Sequence, residues 1–365
     1  MTKLLEAATR RPDRRRPRVL ALVDLVQDID VMLPVLLAIR AEGRCALDIR
    51  VSRWLARESP RTADLLHAYG LPFASVRRSQ VIAGAAPSLR GVAAVLCASE
   101  SDHPAHAAGH ALAMRARAAG LHAYGLQHGF ENAGIFGLEA AGAAFASDVV
   151  FCWFPPAATP PALTSETRAK LAHLGRPEPP GGWRRPGAAR FDLAVFENLH
   201  WDRYVEADRR GFLQGLAATA RALPAARILV RPHPAGGWAD RVGHELAQFG
   251  NITPARASDA RRERDGGAEV LQGVKRVITT PSTIALDAAL AGIPVALAAL
   301  GGPVYAPLPV LQTPHDWIDF AAGGPYAPGT LDLFVSRVLV AGDGAPRIAG
   351  RLSRDLMGHS AHLDG

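Results

Sequence analysis

Short apolar runs rich in β-formers alternate with helical stretches along this chain, and one proline- and glycine-dense break interrupts the alternation. No other feature limits the possible folds so strongly. A strand that is buried on both faces reads as a continuous apolar run, and strand–helix–strand order requires a crossover that places successive strands parallel. Such crossovers are right-handed, so the pattern predicts parallel sheets flanked by helices. Residues 18–26 (RVLALVDLV) open the series as a buried strand. Residues 31–41 (VMLPVLLAIRA) follow with helical periodicity and stop before Gly43, a glycine placed as a helix C-cap. Further strands are predicted at 46–51, 72–76, 92–97, 121–126 and 148–153, with helices near 62–68 and 104–119.

The break contains PPAATPPA and GRPEPPGGWRRPG and reads as a connection between domains. Beyond it the alternation resumes. Strands are predicted at 191–196, 227–230, 274–279 and 295–299, and helices at 204–222, 238–249 and 283–291. A helical tail at 330–340 is expected to return to the first domain. At 365 residues the chain has room for two domains of ordinary size. The predicted organisation is a basic arm (1–17), an acceptor-side Rossmann-like domain (18–155), a link (156–190), a donor-binding Rossmann-like domain (191–329) and a C-terminal tail (330–365). The fold class is α/β, with two domains facing each other across a cleft lined by the carboxyl ends of their strands.

Charge and cysteine usage narrow the setting. The formal charge is +7, and much of the excess lies in RRPDRRRPR at residues 10–18. That run reads either as a solvated arm or as a patch drawn to an anionic membrane surface or substrate. Cys45, Cys97 and Cys152 are far apart, with neither pairing nor metal-ligand spacing, which predicts a reduced, cytoplasmic protein. No stretch approaches the roughly 20 apolar residues of a membrane span. A phosphate loop, a GxGxxG after the first strand and an acidic metal motif are all missing from the sequence, so no cofactor and no metal is expected. No nucleic-acid partner is expected either.

Three stretches carry the chemistry. In VRPHPAGG, from Val230 to Gly237, a strand ends in Arg231, then His233 is held between Pro232 and Pro234. The prolines restrict the backbone on both sides and present one imidazole rigidly. In ITTPSTIALDAALAGIPVAL, a strand runs into Thr280, Pro281, Ser282 and Thr283 before a helix begins. A helix N-terminus rich in hydroxyls at the end of a parallel strand is a ready anion site, and Asp287 one turn later is placed to accept hydrogen bonds from a ribose. In YGLQHGFENAG, an apolar strand stops at Gln127, His128, Gly129, Glu131 and Asn132. His128 or Glu131 is a candidate general base. Gln127 and Asn132 would serve the acceptor side, and Asp102, after the preceding strand, is a further candidate base. His106, His110 and His122 read as ordinary helix or strand-edge residues.

These motifs resemble those of bacterial surface-polysaccharide glycosyltransferases of the GT-B class that use cytidine-activated donors, namely the sialyltransferases and β-Kdo transferases with HP and S motifs. The related CDP-glycerol glycerophosphotransferases are similar as well. The resemblance implies that His233 and Pro234 form the HP motif on the donor phosphate, that Ser282 and Thr283 hold phosphate and cytidine, and that Asp287 meets the ribose. It further implies metal-independent transfer from a CMP-sialic acid or CMP-Kdo type of donor to a hydroxyl of a glycan or lipid-linked acceptor, in capsule synthesis at the inner membrane surface. Two readings compete with it. A non-hydrolysing UDP-sugar 2-epimerase shares the architecture but would need several cleft carboxylates and histidines, and carboxylates look sparse in these loops. A non-catalytic protein of the same shape is the other.

Overall fold

The computed structural model describes residues 16–136, 144–182, 188–234, 236–258, 270–298 and 301–360. Most of the basic arm, residues 183–187 of the link and Ala299 lie outside the described residues. Among the described residues no helix is long and apolar enough to cross a membrane.

Two parallel sheets carry the molecule, as the alternation predicts. The first has seven strands: β1 (Arg18–Val23), β2 (Ala46–Ser52), β3 (Phe73–Val76), β4 (Ala94–Cys97), β5 (His122–Leu126), β6 (Val149–Cys152) and β7 (Leu171–His173). Their order is β3-β2-β1-β4-β5-β6-β7. The second has five: β8 (Phe191–Glu197), β9 (Ile228–Pro232), β10 (Ile252–Pro254), β11 (Val274–Thr279) and β12 (Val295–Leu297), in the order β10-β9-β8-β11-β12. Both orders reverse direction beside the first strand of the sheet, between β1 and β4 and between β8 and β11. Such switch points open a crevice at the carboxyl ends of the strands, where loops from both sides can reach a ligand.

The apolar runs form these strands because helices cover both faces. Val19, Leu20, Ala21, Leu22 and Val23 are all essentially inaccessible to water, as are Leu193, Ala194 and Val195 at the centre of the second sheet. The helix Asp28–Glu42 begins three residues earlier than its periodicity indicates. The Asp28 carboxylate accepts the amides of Asp24 (3.0 Å) and Leu25 (2.8 Å), which ties the turn after β1 into the helix start. The stretch 238–249, predicted as one helix, is two short ones, Trp238–Arg241 and Gly243–Leu246.

The proline-rich stretch is more than a connection. It contains the helix Ser165–Lys170 and then β7, which pairs with β6 at the edge of the first sheet. Composition hides this strand, since three residues at a sheet edge need no long apolar run. The tail divides in two. Thr330–Val338 packs on the helix Thr283–Leu290 of the second sheet. Gly344–Ser360 crosses back and lies against Asp28–Glu42 of the first. There Ser353 donates to Glu42 (2.5 Å), and Tyr124 donates to Asp355 (3.1 Å).

Candidate functional site

Three loops build the second-domain wall of the cleft. The loop after β8 starts at Glu197, a buried carboxylate that accepts the amides of Leu199 (2.7 Å) and Ala239 (3.2 Å). Burial raises its pKa. Asn198 then links this loop to the next: its amide nitrogen donates to Thr280 Oγ1 (3.0 Å) and its side chain to the Pro281 carbonyl (2.8 Å). The His233 backbone donates to the Glu197 carbonyl (2.7 Å), and its ring stacks on His200 with centroids 5.2 Å apart. His200 in turn lies 5.0 Å from Trp201, so three rings step from a half-buried histidine to a tryptophan that is 44% exposed. Burial, with His200 alongside, lowers the His233 pKa to about 4. Gly236 makes this packing possible, because a Cβ there would stand 2.6 Å from His200 Nδ1.

After β11 come Thr279, Thr280, Pro281 and Ser282, with Ser282 as N-cap of the helix Thr283–Leu290. Ser282 Oγ lies 3.1 Å from Thr279 Oγ1 and does not cap the helix amides. The N-terminal dipole therefore faces outward with hydroxyls beside it. Asp287, one turn on, is half-buried and ion-paired with Arg176. Desolvation raises its pKa while the arginine opposes the shift. Its carboxylate thus binds the crossing segment rather than pointing into the cleft. Arg231 is buried at the end of β9.

The first-domain wall is the loop after β5. Gln127 is buried, accepting the Trp153 amide (2.9 Å) and donating to the Gly129 carbonyl (3.0 Å). Asn132 accepts the His128 amide (3.0 Å) and donates to the Ala133 carbonyl (2.9 Å). Both side chains hold the loop's shape with the groups expected to meet an acceptor. Asp102 likewise accepts the Ala144 amide (2.8 Å) and donates its own amide to the Ala144 carbonyl (2.9 Å), fastening the segment that returns to β6.

His128 is different. Its Nδ1 is buried and has no hydrogen-bond partner among the described residues. Burial lowers its pKa to about 4, opposed by a hydrogen bond to the Ala98 carbonyl. The His106 ring meets it at 87°, centroids 4.9 Å apart, and Ser101 Oγ sits 2.7 Å from His106 Nδ1. Burial takes the His106 pKa down to about 3. His106, read from sequence as an ordinary helix residue, is therefore packed against the candidate base.

The two walls touch. The Phe130 amide donates to Thr283 Oγ1 (2.8 Å), and Glu131 forms an ion pair with Arg203 at 2.6 Å. Arg203 also donates to the Pro281 carbonyl and to Tyr204 Oη, both at 3.1 Å. Phe130 meets Tyr305 and Phe334 edge-on, at 5.1 and 5.8 Å.

Sequence reading missed Arg203, His200, Glu197 and the Ser101–His106 pair. Each follows a first or central strand, so asking which loops flank the two switch points would have found them. It also underestimated carboxylates. Asp24, Asp28 and Glu100 all lie buried at the carboxyl edge of β1 and β4. Burial pushes Asp28 up to about 7, against a 2.5 Å hydrogen bond from Ser99. No group of three or more His, Cys, Asp and Glu side chains among the described residues could hold a metal ion.

The backbone as a whole is similar to solved sugar-nucleotide epimerases. A Listeria monocytogenes structure described as a putative UDP-N-acetylglucosamine 2-epimerase matches with a TM-score of 0.62 at 12% identity, over 94% of this chain and 96% of that one. The S. aureus MnaA–UDP co-structure matches at 0.62 and 10%, over 93% and 97%. The Neisseria meningitidis UDP-GlcNAc 2-epimerase bound to UDP-GlcNAc matches at 0.60 and 9%, over 93% and 100%. No family model matches the sequence, and no curated protein matches it. The fold is thus the two-domain, GT-B-like α/β architecture. Among the readings drawn from sequence, these likenesses fall with the UDP-sugar epimerase alternative rather than with the cytidine-donor transferases.

Proposed function

We propose that the cleft binds a sugar joined to a nucleoside diphosphate and epimerises it at C2, with UDP-linked sugars as the substrate class. The observation that carries this reading is the opposition of His128 to the Thr283 turn. An uncharged imidazole with a buried Nδ1 stands on the loop whose next residues touch the hydroxyl at a helix N-terminus across the cleft. The similar chains described as bound to UDP and to UDP-GlcNAc support the ligand class.

In this reading the second domain holds the diphosphate. Ser282, Thr283 and the first amides of their helix supply donors and a favourable dipole, and Arg231 and His233 stand at the carboxyl end of β9, one strand beyond β8. Thr280 acts indirectly, fixing the 198–205 loop through Asn198. Epimerisation removes the C2 proton from one face while the electron pair forms a C1–C2 double bond and the C1–O bond to UDP breaks; re-addition of UDP with return of a proton to the other face gives the epimer. It requires a base that is unprotonated before the reaction, and His128 meets that requirement at neutral pH. Glu131 is already paired with Arg203, so we assign it to positioning and the base to His128. The buried carboxylates and His106 stiffen the wall behind it. No cofactor is invoked.

Glycosyl transfer to an acceptor is the second reading. The observation favouring it is a cavity of about 970 Å³ that reaches Glu131 and Arg203, which leaves room for another substrate. A cytidine-linked donor rests on the short HP and serine motifs alone. One experiment separates the two readings. The protein is incubated with UDP-GlcNAc in deuterium oxide and followed by proton NMR. Deuterium at C2 with a second anomeric signal is expected. A sugar left unexchanged, with transfer from CMP- or UDP-linked donors only when a hydroxyl acceptor is added, would overturn epimerisation.

A further inference from the structure

The cavity of about 970 Å³ between the domains shares only the Glu131–Arg203 pair with the epimerisation site just derived, and neither His128 nor His233 lines it. One wall is the proline-rich stretch, which contributes Pro155, Ala157, Pro160 and Pro161. The opposite wall is Gly301 to Val304 together with Ser336, Arg337 and Val338 at the end of the helix Thr330–Val338. Prolines make a rigid, preformed surface and carry no amide donor.

Most polar groups of this cavity are already engaged, although the buried Arg203 Nε has no hydrogen-bond partner among the described residues and Asp208 is exposed. Glu131 and Arg203 pair with each other, and Tyr204 Oη accepts from Arg203. Asp208 accepts the Val205 amide, and Ser336 donates to the Leu333 carbonyl. A ligand bearing many hydroxyls would find few open partners here, and each unmet polar group would oppose binding. Arg337 lies exposed in the lining. Four residues before it on the same helix face is Leu333, which is 52% exposed, and Val205 beside Tyr204 is 60% exposed. The apolar surface therefore continues out to the rim, next to the Arg337 guanidinium.

We propose that this cavity is a binding site for a single-chain anionic amphiphile, its hydrocarbon chain against the proline wall and its phosphate or carboxylate head on Arg337. The proposal does not require epimerisation, and it fills the space that the transfer reading would give to an acceptor. Two sources share this chemistry, a free alkyl phosphate or carboxylate and the anionic lipid of a membrane.

The test uses decyl phosphate below its micelle concentration as the probe, titrated calorimetrically into the full-length protein. Binding is expected, weakened at least tenfold by Ala157→Trp, which fills the chamber, and by Arg337→Glu, which reverses the rim charge. Val304→Trp fills the chamber from the other wall, so it replaces Ala157→Trp should that variant unfold. UDP-induced thermal stabilisation, read in parallel, should be the same in the variants and the parent. Flotation with phosphatidylcholine vesicles carrying lysophosphatidate, a single-chain anion, assigns the source: co-flotation that Arg337→Glu abolishes identifies a bilayer lipid, and binding of decyl phosphate without flotation identifies a soluble one. No binding of decyl phosphate, or binding that the cavity-filling and rim variants leave unchanged, would overturn the proposal.

Discussion

His106, His128 and His233 are all held uncharged at neutral pH by withdrawal from water. Their folded pKa values, about 3, about 4 and about 4, lie below the ordinary 6.5, so in mild acid the unfolded chain binds protons that the folded chain refuses. Their stabilising contribution is complete above pH 6.5 and is lost as pH falls toward 4. Asp28 acts in the opposite sense. Its folded pKa, raised to about 7 from 3.8, gives stability that is complete below pH 3.8 and lost as pH rises through 7. Asp28→Asn should therefore steepen the fall in Tm between pH 7 and pH 5, and His128→Gln should flatten it. A differential scanning series across that range checks both signs. Chemistry at the same residues separates base from clamp. His128→Ala should lower kcat by about 10²–10⁴-fold, the usual loss on removing a general base, with UDP affinity retained. Glu131→Gln keeps the shape of its side chain and should cost far less. Equal losses in a steady-state assay of the two variants would remove His128 from the base role.

At the scale of elements, much of what positions the cleft was legible in advance. Continuous apolar runs revealed β1, β5, β8 and β11 to within a few residues, because burial on both faces leaves a strong pattern. The short edge strand β7 was not legible, since three residues beside prolines carry no periodicity. The Thr279–Thr283 turn and the His233 corner were visible as motifs, yet their neighbours were not. His200, Arg203 and His106 reach the cleft through loop geometry, and Asp287 is turned away by Arg176, a residue 111 positions earlier in the chain. Long-range pairing of that kind leaves no mark in local sequence. One element-level consequence is testable at Gly236, where the β9 loop crosses His200. A methyl group there must displace the ring on which His233 stacks. Gly236→Ala should weaken UDP binding severalfold in calorimetry while Tm stays within a few degrees. Unchanged affinity would show that the ring ladder does not support the ligand site.

The whole molecule is joined across the cleft by contacts that belong to neither domain alone. Glu131–Arg203, Phe130–Thr283 and Arg176–Asp287 each link the first sheet's side to the second's. The Glu131–Arg203 pair is half-withdrawn from water, so its coupling should exceed the ~0.2–1 kcal/mol typical of exposed pairs. A double-mutant cycle with Glu131→Gln and Arg203→Gln, followed by chemical denaturation, measures that coupling. A value indistinguishable from zero would reduce the pair to an incidental contact.

The returning helix Gly344–Ser360 has a mechanical meaning. Because the chain leaves the first sheet near Gly175 and comes back near Gly344, the second domain hangs on two backbone crossings instead of one. The crossings are laced together: the Gly344 amide bonds the Arg176 carbonyl (2.9 Å), and Asp343 accepts the Glu178 amide (2.9 Å). Two tethers pinned side by side suppress twisting and leave one easy motion, a swing about the line through them. The domains should open like a book with its spine at Gly175–Gly344, and the pages should part most along the edge farthest from that spine.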